Sequence, residues 1–410
     1  MSKLKGVILS IEDTILPQQG FDKAIFGEVT RLINYFRSKN IEFVIFTNRI
    51  WTVGKEDPLE DKLKKHWGSF TYICGANDPN VPSKPRASAT KYVLDRMKWD
   101  STETVYIGAS DSDMRTAVNG QLLFLRATWW ANNTDYGFEF DSPKDIARYI
   151  DTFCLRDHFW CHEIHDGDFN FYALAPFSTM KPEYTLYSED ARSAAKRGTG
   201  HPNFWLGALV SSLYFCGIHK KIDYVSVYPG HQAGSGNVVM NDAISIFGKC
   251  FRKNYIPDLI IRHTTSTKSQ TARNTGVPID HLNQLNTIHI NRTPLRTATV
   301  RYTKSPLQKG KTVLLIDDIA TRGYSFESAR AYLEQAGVKV ISAAWLKTIN
   351  TDISQLAPLG KFNPYTPNTF SSAPVLKQYD YRGNIVDSLA PSELSKVFSN
   401  YEKWDWPVGI

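Results

Sequence analysis

The 410-residue sequence has no apolar run approaching the ~18 residues of a membrane-spanning helix, so it offers no transmembrane segment and no membrane partner is expected. Cysteine is scarce. Cys74, Cys154, Cys161, Cys216 and Cys250 are odd in number and mostly scattered, which argues against a disulfide framework. An export signal is also missing: the opening "MSKLKGVILSIED" has a short apolar stretch that meets acids at once and reads as a strand. A reducing cytoplasm is therefore the expected location. Repeats and low-complexity tracts are absent, which argues against a solenoid or a disordered chain. Nor does charge of one sign dominate. A net charge of +7 and a pI of about 8.9 suit polyphosphate ligands and nucleic acid alike, and select neither. What is present is a chain 42% hydrophobic and 22% charged, ordinary for a folded protein, and long enough for two or three domains.

Residues 1–150 alternate strand and helix signals. Apolar runs at 6–9, 43–46, 104–107 and 122–126 read as strands and 26–39 and 88–98 as helices, with Gly108, Asn119 and Gly120 as punctuation. Residues 151–185 shift to aromatics and histidines without a clear period and read as a junction or hood. Residues 186–350 alternate again. Helices are expected at 191–196 and 205–215, strands at 224–228, 259–261 and 313–316, a helix at 325–336 stopped by Gly337, and a strand at 340–345. The fold class is thus α/β, with two Rossmann-like domains on parallel sheets, whose ligand sites belong at the carboxyl ends of the strands. Residues 351–410, rich in Pro, Asn, Ser and Tyr and ending in "KWDWPVGI", form an aromatic tail. It either wraps on the body through Trp404 and Trp406 or serves as an interaction arm.

The most informative stretch is "VLLIDDIATRGYS", residues 313–325. Four apolar residues make a buried strand, two acids sit at its tip, and a short Thr/Gly/Ser loop leads into a helix. Each part suits a ribose 5′-phosphate. The loop can turn backbone N–H groups inward as an anion nest, and the helix N-terminus adds partial positive charge. Thr321 and Ser325 can donate from their hydroxyls, and Gly323 lets the backbone approach closely. Asp317 and Asp318 can accept from ribose hydroxyls and stabilise positive charge at the anomeric carbon.

This stretch closely resembles the phosphoribosyl pyrophosphate (PRPP) signature of type I phosphoribosyltransferases, an apolar strand followed by Asp-Asp, an apolar residue, x, and Thr-Thr-Gly-x-Thr. Here it reads Asp317, Asp318, Ile319, Ala320, Thr321, Arg322, Gly323, Tyr324, Ser325. Ser325 keeps the last hydroxyl; Arg322, in place of the second Thr, either adds a phosphate contact or points outward. Upstream segments resemble the ComF-like branch. "DYVSVYPGHQ" places Tyr228, Pro229, Gly230 and His231 in a pyrophosphate loop. "IRHTTSTKSQ" places Arg262, Thr267 and Gln270 on an Arg…Thr-x-x-Gln pattern, and "YSEDARSAAKRG" offers Arg192 and Lys196. For Lys196, Arg262 and Gln270 a phosphate contact and a solvated surface role are both open. Asn283 and Asn286 stand where that branch has Arg-x-x-Asn, so the Arg is missing. The resemblance covers roughly residues 187–348. It implies a site in which Mg²⁺, held through PRPP, Asp317 and Asp318, bridges ribose and pyrophosphate while a nucleobase-like acceptor attacks.

The first half carries a second resemblance. "VILSIEDTIL", "FVIFTN", "PSKPRASATKYVLDRM" and "VYIGASDSDMRTA" follow in order the four motifs of the haloacid dehalogenase (HAD) superfamily. The matching residues are Ser10, Glu12 and Thr14; Thr47; Lys84; and Gly108 and Asp113. In that family the first Asp attacks phosphorus and binds magnesium. Ser10 lacks that carboxylate and Ala109 removes another, so the resemblance implies a HAD-like scaffold that has lost phosphatase chemistry. Two alternatives stay open: Asp13 and Asp111 rebuild a metal site, or Thr47 and Lys84 bind phosphate without hydrolysis. The connections from Ser10 to Thr47 and from Trp51 to Lys84 are too short for a cap. The open site suits a large substrate, or a partner domain that closes it, and the second half is the candidate cover.

Between the halves, "CLRDHFWCHEIH" spaces Cys154, His158, Cys161, His162 and His165 so that most share one face of a helix. That suits zinc, and Phe159 and Trp160 equally suit a buried aromatic junction. The leading functional expectation is a PRPP- and Mg²⁺-dependent phosphoribosyltransferase. The alternatives are a bifunctional transferase and phosphatase acting on a nucleotide, and a non-catalytic PRPP or nucleotide sensor. Fusions of these two families resemble proteins of bacterial stress-response and phage-defence gene clusters. Partners beyond PRPP and a nucleobase stay open: a homo-oligomer, a protein encoded alongside, or nucleic acid.

Overall fold

In the computed structural model the described residues are 3–54, 56–233, 238–267, 280–297 and 299–410. The first half is a six-stranded sheet, entirely parallel. Its order across the sheet is Thr71–Cys74, Glu42–Thr47, Gly6–Leu9, Thr104–Gly108, Leu123–Ala127 and Phe138–Phe140. The chain winds from Gly6–Leu9 toward one edge, then returns beside it at Thr104–Gly108 and winds toward the other. Strands such as Gly6–Leu9 and Leu123–Ala127 are buried along their whole length, because helices cover both faces. The connection from Ser10 to Thr47 holds one helix, Lys23–Ser38, capped by the Asp22 carboxylate on the N–H groups of Ala24 and Ile25.

The second sheet also has six strands, in the order Asn254–Tyr255, Tyr224–Val227, Thr312–Ala320, Lys339–Thr348, Phe169–Phe177 and His162–Asp166. All are parallel except the last. Here too the winding reverses. The chain goes from Tyr224–Val227 to one edge at Asn254–Tyr255, then re-enters on the other side at Thr312–Ala320. Residues 151–185 are not an irregular junction. They supply the antiparallel pair His162–Asp166 and Phe169–Phe177, and Phe169–Phe177 runs beside Lys339–Thr348. Its alternation is hidden in the sequence because "FNFYALAPF" is buried almost throughout. The strand expected at 259–261 becomes Ile260–Arg262, which pairs with Ile288–Ile290 in a separate hairpin. The tail carries a hairpin, Ile353–Leu356 with Val375–Tyr379, and a helix, Ala390–Tyr401.

One buried cluster runs through both halves. It joins Val7, Tyr35, Tyr149 and Phe153 to Phe204, Trp205, Tyr214 and Trp345, and it takes in Phe398 and Trp406 of the tail. Tyr149 Oη and Ser211 Oγ are 2.9 Å apart across the junction. Trp404 donates to Asp151 at 2.9 Å and Trp406 to Glu28 at 3.1 Å, so both indoles anchor the tail on the body. Tyr214 donates to the carbonyls of Ser101 (O···O 2.5 Å) and Thr104 (2.6 Å), at the start of the Thr104–Gly108 strand. The second half thus docks at the end of the first sheet opposite Ser10. It is not the cover for that site. Among the described residues, no helix is long and apolar enough to cross a membrane.

Candidate functional site

Winding reversals in parallel sheets open a crevice at the carboxyl ends of the two strands that flank them. Each half of this protein has one. In the first half Ser10 follows Gly6–Leu9, and Gly108 to Asp113 follow the neighbouring strand. In the second half Tyr228 follows Tyr224–Val227, and Asp317 and Asp318 lie near the end of the neighbouring strand.

In the first crevice Lys84 is the hub. Its ammonium donates to Asp113 Oδ1 at 2.7 Å, Tyr106 Oη at 3.2 Å, and Ser10 Oγ and the Phe46 carbonyl at 3.3 Å each. Tyr106 also donates to Asp113 Oδ1 (2.9 Å), while Ser110 Oγ and N–H take Oδ2 (2.7 and 3.2 Å). Gly108 permits this, because a Cβ there would lie 2.6 Å from that of Asp113. Burial alone would push the Asp113 carboxyl up; Lys84, Ser110 and Ser10 hold it below its usual range. Burial and the Asp113 charge push the Tyr106 phenol well above its own.

The fold therefore gathers Ser10, Lys84 and Asp113 and adds Tyr106, which sequence reasoning missed. A tyrosine inside an apolar strand reads as core. Glu12 points elsewhere, to Gln18 and Arg49. Thr47 accepts from the Trp51 indole (3.2 Å) and the Arg49 N–H (3.1 Å). A divalent cation does not fit. Both oxygens of Asp113 are taken, Ser10 offers no carboxylate, Asp13 is bound by Gln18 and Asn133, and Asp111 is paired with Arg115. Asp13 and Asp111 do not rebuild the metal site.

In the second crevice Arg262 is the hub, although it is only 3% exposed. Its guanidinium donates to Gly230 O (2.5 Å), Thr287 Oγ1 (2.6 Å), Gln284 Oε1 (2.8 Å) and Tyr228 Oη (3.1 Å). Tyr228 is pushed up to about 12 by burial, with Arg262 pulling the other way; it also feels the Asp317 charge and hydrogen-bonds Ser325. Asp317 itself is pushed well above the usual carboxylate range by burial and by Asp318, against Arg262. Tyr228, Gly230, Arg262, Asp317 and Ser325 are thus brought together. Gly323 has φ +77° and caps the Tyr324–Gln335 helix, and a Cβ there would meet Ile353 Cγ2 at 3.1 Å. Thr321 Oγ1 is 3.0 Å from Thr348 Oγ1, Tyr324 packs its ring 4.5 Å from that of His281, and Arg322 is exposed. Pro229 and His231 are half-buried beside Gly230, and the His231 carbonyl accepts from Ser266 N–H (3.0 Å). Thr267 exchanges backbone hydrogen bonds with the Asn283 amide, and Lys196 is exposed in the last turn of the Pro182–Arg197 helix. Gln270 lies outside the described residues. The acidic pair fits a divalent cation: a carboxyl kept from ionising by burial and by its neighbour gains from added positive charge.

The zinc expectation is corrected. Among the described residues, no group of three or more His, Cys, Asp or Glu could hold a metal ion. Cys154 is buried at the end of the π-helix Ile150–Cys154, His158 is held by Glu393 (2.9 Å), Cys161 is buried, and His162 lies on a strand between the rings of Phe171 and Tyr381. Burial pushes His162 down to about 3. The segment is not one helix, so its spacings never share a face. A cleft of about 380 Å³ between the halves is lined among others by Thr102, Glu163, Tyr172 and Lys221, and of the candidate residues it takes in His165 alone.

No protein-family model and no curated protein matches the chain. Among solved structures it is similar to one from Lactobacillus delbrueckii subsp. bulgaricus, provisionally named a phosphoglycolate phosphatase. Identity there is 17% over 30% of this chain and 53% of that one, with a TM-score of 0.26, so the chain spans about half of that relative's length. A HAD-superfamily hydrolase from Geobacter sulfurreducens gives 13% identity over 35% and 97%, with a TM-score of 0.26. The cobalt-bound deoxy-D-mannose-octulosonate 8-phosphate phosphatase of Haemophilus influenzae gives 12% over 36% and 87%, with a TM-score of 0.28. At such identities and scores these likenesses carry no functional information for this chain.

Proposed function

We propose that the second half is a phosphoribosyltransferase site that binds PRPP with Mg²⁺, and that the first half is a HAD-like scaffold without phosphatase chemistry. The observation that supports the first part is the meeting of Tyr228, Arg262, Asp317 and Ser325 at the winding reversal of the second sheet, beside a Gly323 loop that opens a helix. The loop amides and the helix N-terminus would hold the 5′-phosphate. The Gly230 loop, held in place by Arg262, would fix the pyrophosphate side, and Asp317 and Asp318 would hold the cation and the ribose hydroxyls. The cation, when bound, supplies charge neutralisation for the leaving pyrophosphate. The two carboxylates face the positive charge that develops at the anomeric carbon, and a rigid Arg262 network costs no reorganisation as it forms.

The reading is tested by incubating the full chain with PRPP, Mg²⁺ and a panel of nucleobases while following pyrophosphate release. Release by the wild type that is lost in Asp317→Asn/Asp318→Asn is the expected result. Absence of PRPP binding by the wild type would sink it. For the first half, the ion-paired Lys84 and Asp113 lead to the expectation that the wild type does not hydrolyse generic phosphomonoesters. Robust hydrolysis dependent on Glu12 would overturn that.

A further inference from the structure

Lys347 is a lysine 1% exposed near the end of the Lys339–Thr348 strand, between Ala320 on one neighbouring strand and Pro176 on the other. Its ammonium donates to the carbonyls of Thr321 (2.7 Å), Thr348 (3.1 Å) and Thr351, and to Thr351 Oγ1 (2.8 Å). The Tyr381 ring lies 5.4 Å away on another side. The Thr321 carbonyl also accepts from Thr351 Oγ1 (3.0 Å), and the next carbonyl, that of Arg322, accepts from the Ser354 N–H (3.0 Å). The first two carbonyls of the 321–323 loop are therefore held toward the strand end and the tail hairpin, while the third, that of Gly323, accepts from the Glu327 N–H (2.9 Å) in the helix. In a trans peptide the C=O and the following N–H point in opposite directions. Holding back these two oxygens turns the N–H groups of Arg322 and Gly323 to the other side of the loop, as an anion nest requires.

We propose that Lys347 is the positioning residue of the candidate phosphate-binding loop, holding its carbonyls back so that its amides face the ligand. This rests on the function proposed above for the ligand's identity, but the loop geometry can be tested without it. Burial pushes the Lys347 amine down to about 7; Asp352 opposes this and Arg322 adds to it. The charged and titratable groups that face it are Asp352, Arg322, His162 and Tyr381. An anion on the loop favours the charged ammonium. Binding near neutral pH is therefore accompanied by proton uptake at Lys347.

Two measurements on the full chain, wild type and Lys347→Met, test this. The first is ligand-free. Arg322 is exposed, so trypsin cleavage after it, normalised to a peptide substrate, reports loop order. Loss of charge-assisted hydrogen bonds worth about a factor of ten or more predicts cleavage at least that much faster in the variant, with far-UV circular dichroism unchanged. The second is calorimetric titration with inorganic pyrophosphate and Mg²⁺ in buffers of different ionisation enthalpy. Wild type is expected to take up a fraction of a proton near pH 7.5, and Lys347→Met to bind more weakly and take up none. Unchanged cleavage at Arg322 overturns the proposal, as does equal affinity with equal proton uptake. If the wild type binds neither pyrophosphate nor PRPP, the functional reading fails and the cleavage rate alone decides the role of Lys347. Should Lys347→Met lose its fold, Ser354→Pro removes the second tie on the loop and is read by the same cleavage assay, with the same outcome deciding.

Discussion

Two aspartates show how surroundings divide one residue type into two roles. Asp113 is fully engaged by Lys84, Tyr106 and Ser110, and its charge is a structural element. Burial and the neighbouring Asp318 keep the Asp317 carboxyl from ionising, with Arg262 only partly opposing them, so its charge would form on meeting a cation. Lys84→Met would strand the Asp113 carboxylate at zero exposure. It should cost about 3–5 kcal/mol in urea denaturation, and Lys84→Met/Asp113→Leu should recover most of that, because well-packed apolar groups replace a buried ion pair at little cost. A double variant as unstable as the single one would show that the pair itself, and not the stranded charge, carries the stability.

Among the elements, three helices meet at His201. Its Nδ1 lies 2.6 Å from Asp190 on Pro182–Arg197, and its Nε2 lies 2.7 Å from Glu402 just after Ala390–Tyr401; His201 itself precedes Pro202–Phe215. Burial acts to lower its pKa, but the hydrogen bonds and charges of Asp190 and Glu402 together raise it above the ordinary value of 6.5. A group that binds its proton more tightly when folded stabilises fully below its unfolded pKa. That contribution fades as pH rises through the folded one. Stability measured by denaturant from pH 6 upward should therefore decline in part through His201, and His201→Gln should flatten that decline. Parallel pH profiles for the two proteins would remove His201 from the account.

For the whole molecule, the decisive feature is one core shared by two sheets and sealed by the tail. Calorimetry should show a single unfolding transition. Trp406→Ala should lower its midpoint, because the indole is 8% exposed, packs on Tyr35 and lies under Arg31, and losing such a side chain costs about 3 kcal/mol or more. Two separable transitions, with only one sensitive to Trp406, would mean that the halves are energetically independent.

Much of this was legible in the chain. Apolar runs bounded by Gly and acids announced parallel strands, and "VLLIDDIATRGYS" announced a strand, an acidic tip and a helix start, because those signals are set by neighbours in sequence. The strand Phe169–Phe177 was missed because burial on both faces erases the alternation that marks a strand. The helix expected through 154–165 failed because spacing alone cannot tell a continuous helix face from a helix end followed by a strand. What the tertiary structure alone decided is which polar groups are spent and which are free. Lys84 meets Asp113 across 29 residues, Arg262 meets Tyr228 across 34, and Lys347 meets Thr321 across 26. A lysine at the end of an apolar strand reads as solvent-facing. Only the flanking strands and the tail packed over it bury Lys347, and buried donors must find acceptors wherever the fold supplies them.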